Sequence, residues 1–273
     1  RSGNTHRSEI SLDKFWNPAW TAGCQGLLEF RALESLPHHQ WTSAVALLFR
    51  ALVVRLLEPG TRATQLRSWG GALHDRWLLP SQLWSDLEEV LADLAASGMP
   101  LDSGPFRALW DWRFPTLLQW RHGAAELTIR QALEPWPLLC DTPVEGGSTS
   151  RFVDSSLRRF ELIANGDFRE RCHLQLQGRE LLWPANPQQP VAVRYRQEAL
   201  FPCLHPLLAP QIPLQLQVSD RDGGAVIGRW QLFSESTGFE ALTIDPTLVK
   251  GSGAAEPPPM VAGEHGCTID LRF

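Results

Sequence analysis

From Leu157 onward the chain breaks into short runs in which apolar and polar residues alternate, and this period of two constrains the fold more than any other feature. The runs are 157–164, 172–177, 191–195, 214–219, 226–233 and 268–273. Turn chemistry separates them, with Asn165-Gly166 and Asp222-Gly-Gly224 as hairpin-type signals. Short strands at this spacing predict a small all-β domain, a sandwich or a barrel. Gly146-Gly-Ser-Thr-Ser150 marks the expected boundary, dividing the chain into 1–145 and 146–273. The proline-rich stretch 251–266 reads as a loop.

Ahead of that boundary the pattern is mixed, so the fold class read for the whole chain is α+β. Thr5 to Asp13 alternates, with Arg7, Glu9, Ser11 and Asp13 on one face and Ser8, Ile10 and Leu12 on the other. Asn17-Pro-Ala-Trp-Thr-Ala-Gly23 supplies turn residues, and Leu27 to Arg31 follows as a second short strand with Glu29 and Arg31 on a common face. The two strands predict a hairpin with a long loop. Trp41 to Leu57 carries apolar residues at 41, 45, 48, 49, 52, 53 and 56, which is helical spacing, and it is apolar nearly all round, which predicts a buried helix. A second helix is expected from Pro80-Ser81 to Leu94, with Ser81 as N-cap and Gly98 just past its end. A short helix over 108–114 and a strand over 126–133 complete this part.

The 273 residues carry a net charge of −5, which gives no electrostatic reason to expect nucleic acid or an anionic membrane as partner. Five cysteines, at 24, 140, 172, 203 and 267, form no Cys-x-x-Cys pair, which argues against a zinc site or a disulfide framework and suits a cytoplasmic location. No run is expected to reach the roughly 18 apolar residues that span a bilayer. The polar start, Arg1-Ser-Gly-Asn-Thr-His, runs straight into a strand pattern and reads as a fragment cut from mid-domain.

Side chains two apart on a strand lie roughly 7 Å apart on one face, so Arg7, Glu9 and Asp13 line one surface and Glu29 with Arg31 line its neighbour. A hard cation such as Mg²⁺ takes carboxylate oxygens together with phosphate oxygens, and arginine grips phosphate in a bidentate fork. The same pattern is equally an exposed sheet face with cross-strand ion pairs. The order of the segments resembles the end of the catalytic sheet of glutamine synthetase and related carboxylate–amine ligases. There an arginine-bearing strand is followed by a loop, an Arg-x-Glu-x-Arg strand, a proline corner and a buried helix. Arg7, the strand to Asp13, Glu29-Phe-Arg31, Pro37 and the helix from Trp41 follow that order, although Leu27 stands where the first arginine of the second strand would be.

More closely, nearly the whole chain resembles the C-terminal region of a bacterial amidoligase family whose longer members begin with a transglutaminase-like domain. Arg1-Ser-Gly-Asn-Thr-His-Arg7, Leu27-Leu-Glu-Phe-Arg-Ala32, His74-Asp-Arg76, Arg113-Phe-Pro115, Arg130-Gln-Ala-Leu-Glu-Pro-Trp136, Val153-Asp-Ser-Ser156 and Cys203-Leu-His-Pro206 carry the match. The resemblance implies the C-terminal part of a glutamine synthetase-like antiparallel catalytic sheet with packed helices over 1–145, ahead of the all-β domain. It also implies ATP-dependent joining of a carboxylate to an amine through an acyl-phosphate, in peptide modification or small-peptide synthesis, with ATP and Mg²⁺ as cofactors. Glu29 and Asp13 would then be metal ligands, Arg31 and Arg7 catalytic, and Arg7 and Glu9 nucleotide contacts. Such a site needs further strands, so the fragment alone is expected to be inactive. A peptide or amino acid is the implied substrate, and a transglutaminase-like domain in the same or a neighbouring polypeptide the implied partner.

The rival expectation is a non-catalytic binding module that recognises a peptide or partner protein. Of the remaining candidates, His6 and His74 lack a visible acid–base partner, and His38-His39 has no metal spacing. Arg130, Glu134 and Asp154-Ser-Ser156 read as a structural polar cluster where the two parts of the chain meet. Most of the twelve tryptophans read as core, and Ser155 and Ser156 lack a nucleophile elbow.

Overall fold

A computed structural model describes residues 10–61, 67–143, 149–244, 257–262 and 266–273. The chain forms two compact units, Arg1–Val54 and Arg55–Phe273. In the first unit, β1 (Ile10–Ser11) pairs antiparallel with β2 (Glu29–Phe30), placing Ile10 opposite Phe30 and Ser11 opposite Glu29. The helix α1 follows over His39–Leu57 and continues into the second unit.

The expectation that α1 is buried does not hold. Only Ala51 is buried, and Leu47, Val54, Leu56 and Leu57 are each more than half exposed. By length and composition α1 could also cross a membrane, with a mean hydropathy of 1.4. No unbroken apolar run signals this in the sequence, because Arg50 and Arg55 interrupt the helix.

In the second unit, α2 (Pro80–Ala96) and α3 (Gly104–Arg113) precede the sheets. Ser81 is not the N-cap of α2. Leu79 holds that position, Pro80 occupies the first turn, and the cap comes from far along the chain. The Glu161 carboxylate accepts from the Ser81 backbone N–H at 3.0 Å and from the Ser81 hydroxyl. An acid at a helix N-terminus satisfies free N–H groups and meets the positive end of the dipole. Gly98 ends the helix as expected, with φ +81°.

The strands follow in order: β3 (Thr116–His122), β4 (Ala125–Ala132), β5 (Leu138–Pro143), β6 (Thr149–Val153) and β7 (Leu157–Ala164). After a short helix, α4 (Gly166–Arg171), come β8 (Cys172–Leu176), β9 (Arg179–Leu182), β10 (Val191–Arg196), β11 (Leu214–Asp220), β12 (Val226–Leu232), β13 (Glu240–Ala241), β14 (Met260–Val261) and β15 (Thr268–Asp270). Asn165-Gly166 is therefore not a hairpin turn. Asn165 caps α4 by accepting from the Phe168 N–H. The 251–266 stretch, expected as a loop, contributes β14, while 251–256 and 263–265 lie outside the described residues.

Two sheets dominate this unit, a five-stranded one in the order β15-β10-β7-β4-β3 and a six-stranded one in the order β13-β12-β11-β8-β9-β14. They share one core. Leu127, Ile129, Phe160, Leu162, Val191 and Val193 from the first sheet join Leu174, Leu176, Leu214, Leu216, Val218 and Trp230 from the second. Edge-to-face rings lock the halves, Trp120 to Trp230 at 5.9 Å and Phe160 to Phe239 at 6.0 Å. The arrangement is a sandwich, and neither sheet closes into a barrel among the described residues. β3 and β4 lie ahead of the expected boundary at 145/146, yet they pair into the sheet that β7, β10 and β15 complete. The β-rich part thus begins at Thr116, and the division into units falls at Val54/Arg55.

The opposite face of the five-stranded sheet is charged. Its register aligns Arg130, Glu161, Ala192 and Thr268 in one row across the strands, and Ala132, Arg159, Arg194 and Asp270 in the next. Arg159 is fully buried, donating to Leu133 O at 2.8 Å and Asp75 O at 3.1 Å, with Asp75 and Glu134 carboxylates at 3.8 and 3.9 Å. Glu134 accepts from Arg194 Nε at 2.9 Å, and Asp270 takes both Arg194, at 3.6 Å, and Arg272, at 2.7 Å. Asp75 closes the row by accepting from the Cys267 N–H and the Thr268 hydroxyl. Removing one member of a buried ion network strands its partners without water. Arg159→Met is expected to cost about 3–5 kcal/mol in urea unfolding; a cost near zero would show that the pairing is not structural.

Burial pushes the Glu161 carboxyl up, against the two Ser81 hydrogen bonds and Arg159 that pull it down. The folded chain therefore holds this proton more tightly than the unfolded chain. Stability from this group is fullest below the ordinary carboxylate range and falls as the pH rises from there through the raised value. Glu161→Gln keeps an acceptor oxygen and does not titrate, so it should flatten that part of the stability–pH curve. An unchanged slope would assign the effect elsewhere.

Candidate functional site

The loop between β1 and β2 is built by its own backbone. Asn17 N donates to Gly23 O at 2.8 Å, and Gly23 N donates to Trp20 O at 2.8 Å. Gly23 is required there, because a Cβ would stand 2.2 Å from the Asn17 carbonyl oxygen. Gln25 N and Leu27 N both reach back to Lys14 O, at 3.0 and 3.3 Å, and bring the chain into register for β2. Phe30 turns the other way and packs its ring against Phe49 of α1 at 4.8 Å.

Three of the five expected site residues lie in the described part, and they come together. Arg31 Nη2 donates to Glu29 Oε2 at 3.2 Å and stands 4.0 Å from Asp13 Oδ2. Ser11, opposite Glu29, is buried, and its hydroxyl accepts from the Asp13 N–H at 3.3 Å. The Arg31 hydrogen bond holds the Glu29 carboxyl below its usual range, with Lys14 adding to the effect against partial desolvation and Asp13. Glu29 is thus ionised at neutral pH, the state a hard cation needs. Arg7 and Glu9 lie outside the described residues, as does His6.

The donor set fits a magnesium nucleotide in chemistry: two carboxylates supply hard oxygen and a guanidinium beside them can pair with phosphate. Among the described residues no group of three or more His, Cys, Asp or Glu side chains could hold a metal ion. Two carboxylates alone leave most of a six-oxygen shell to phosphate and water, which is the usual arrangement for Mg²⁺.

The second expected cluster is rearranged. Arg130 does not meet Glu134. It bonds Asp111 at 3.1 Å and the Phe114 carbonyl, with its guanidinium 4.3 Å from the Trp110 ring. Glu134 pairs instead with Arg194, for which the sequence offered only an arginine at an alternating strand position. Asp154 is fully buried and accepts from the Ser156 N–H at 3.1 Å and the Leu204 N–H at 2.9 Å. Arg196 completes this corner by donating to the Glu198 and His205 carbonyls, both at 3.1 Å, and to Cys203 Sγ at 2.9 Å. Not all tryptophans are core: Trp112 is 45% exposed, and Trp110 lies between Arg107 and Arg130.

The sequence segments that stand out, around His74, Arg130, Val153 and Cys203, therefore meet on and beside one charged sheet face, while Glu29 and Arg31 form the open cluster. The chain belongs to the DUF2126 family. That family's model, described as putative amidoligase enzyme, matches residues 1–243, a span that includes both the strand pair and most of the charged face. Comparison with curated proteins and with solved structures finds no match.

Proposed function

We propose that this amidoligase-family chain takes part in ATP-dependent joining of a carboxylate to an amine, with the β1–β2 pair as one wall of an Mg-ATP site in a glutamine synthetase-like ligase fold. The observation that carries it is the convergence of Asp13, Glu29 and Arg31 into one half-exposed cluster at the β1–β2 pair in a chain of this family. A carboxylate is a poor electrophile until activated, and ATP supplies that activation by phosphorylating it to an acyl-phosphate. Glu29 and Asp13 would hold the divalent cation. Arg31 would exchange its bond to Glu29 for the transferring phosphoryl oxygens, where a fixed guanidinium offsets developing charge. Arg7 and Glu9 would contact the nucleotide. The substrate class is a peptide or amino acid, in peptide modification or small-peptide synthesis, and a transglutaminase-like domain is the proposed partner.

The alternative is a binding module that has lost catalysis, and the residue favouring it is Leu27, 52% exposed where the ligase pattern expects an arginine. Turnover separates the two. In the full-length protein, Glu29→Ala and Arg31→Ala are each expected to lower Mg-ATP-dependent ligation by about 10²-fold or more, with the thermal midpoint little changed because a half-exposed ion pair contributes only about 0–1 kcal/mol. Full activity in both variants would overturn the ligase reading, as would a full-length protein that binds no Mg-ATP.

A further inference from the structure

The sandwich has an end at which its interior stops being apolar. On the inward face of the five-stranded sheet, Ile129, Phe160 and Val193 lie in the shared core, and the next inward positions are Gln131, Arg158, Tyr195 and Gln197. Opposite them the six-stranded sheet ends in Leu232 and continues to Ser234 and Ser236. These residues, with Leu117 and Phe233, line an open-mouthed cavity of about 210 Å³.

Two donors in it are held ready. Arg158 Nη1 is tied to the Ser155 carbonyl at 2.8 Å and the Leu157 carbonyl at 2.9 Å, and its guanidinium lies 5.7 Å from the Trp136 ring. Its Nε and Nη2 edge makes no hydrogen bond among the described residues. That edge is the fork that binds a carboxylate bidentately, on a side chain whose rotamer is already fixed. Tyr195, the only tyrosine of the chain, is 6% exposed, with its ring packed 5.8 Å from Phe160. Its hydroxyl makes no hydrogen bond among the described residues, and the residue lines the cavity. Burial pushes its phenol up to about 12, so it stays a neutral donor.

Among the described residues, the charged ones lining the cavity are Arg158 and Arg159, and the Arg159 guanidinium is turned to the other sheet face, where it bonds Leu133 O. Beside the cavity, and sharing Phe233, Ser234 and Ser236 with it, runs an open shelf that carries Glu235 and Glu240. One end of the site thus favours an anion and its rim favours a cation or a peptide N–H.

We propose that this cavity binds the α-carboxylate of an amino acid or of a peptide C-terminus, through Arg158 and the Tyr195 hydroxyl, with the remainder of the ligand on the Glu235/Glu240 shelf. The site stands independently of the ligase reading. Calorimetric titration of the whole chain with alanine, N-acetyl-alanyl-alanine and its C-terminal carboxamide tests it. Saturable binding of either carboxylate, and none of the carboxamide, is expected. Preference for free alanine would identify an amino acid as the source, and preference for the capped dipeptide a peptide end. Tyr195→Phe keeps the ring in the core and should weaken carboxylate binding about tenfold or more; Arg158→Gln should abolish it. Equal binding of the carboxamide would overturn the proposal, as would no binding of either carboxylate up to about 10 mM or Tyr195→Phe without effect.

Discussion

The second unit depends on a buried row of charge. Arg159 sits fully buried at the centre of the five-stranded sheet, and its acceptors among the described residues come from three distant parts of the chain: Leu133 and Glu134 after β4, His74 and Asp75 ahead of α2, Thr268 in β15. A guanidinium this buried is tolerated only if those groups arrive together. The row therefore imposes one register on β4, β7, β10 and β15, since a slip of one residue would turn Arg159 and Arg194 into the apolar core. The next row serves α2 in the same way, because Glu161 can cap Ser81 only from this register. One face of the sheet thus supplies the hydrophobic energy and the other supplies the uniqueness of the arrangement.

Local pattern made most strands legible. β11 alternates over 214–219 and β7 does so only in part, yet the bounds of both lie close to where period two places them. What sequence could not show is pairing at a distance. Asn165-Gly166 has hairpin chemistry, yet the Asn165 side chain also accepts from the Phe168 N–H and starts a helix, and only the packing of Phe168 into the core chooses between them. Ser81 reads as a cap until a carboxylate eighty residues away takes the role. Composition changes after 145, but β4 and β7 are partners across that point, with Arg130 opposite Glu161. Tyr195 and Arg158 gave no signal because they line the cavity only when the ends of β7 and β10 stand side by side.

The candidate site was legible in part for the same reasons. β1 and β2 pair with Ser11 opposite Glu29, as alternation predicts, but the strands are only two residues long. Asp13 lies in the turn after β1 and Arg31 just past β2, and it is their ion pairing that brings the three together. The family segments divide by physical environment. Those around Asp75, Glu134, Asp154 and Cys203 are spent on satisfying buried polar groups. Glu29 and Arg31 are half-exposed and paired with each other, an arrangement that contributes little to the fold. Partial exposure of two carboxylates beside a guanidinium is what makes this cluster the candidate.

Paramagnetic broadening tests the central claim, that this strand face handles a metal nucleotide, most directly. With Mn²⁺ and a non-hydrolysable ATP analogue added to the full-length protein, the account predicts that the amides of Ser11, Asp13, Glu29 and Arg31 broaden first and that excess Mg²⁺ restores them. Broadening confined to other residues, or none at a nucleotide concentration that saturates binding, would contradict it.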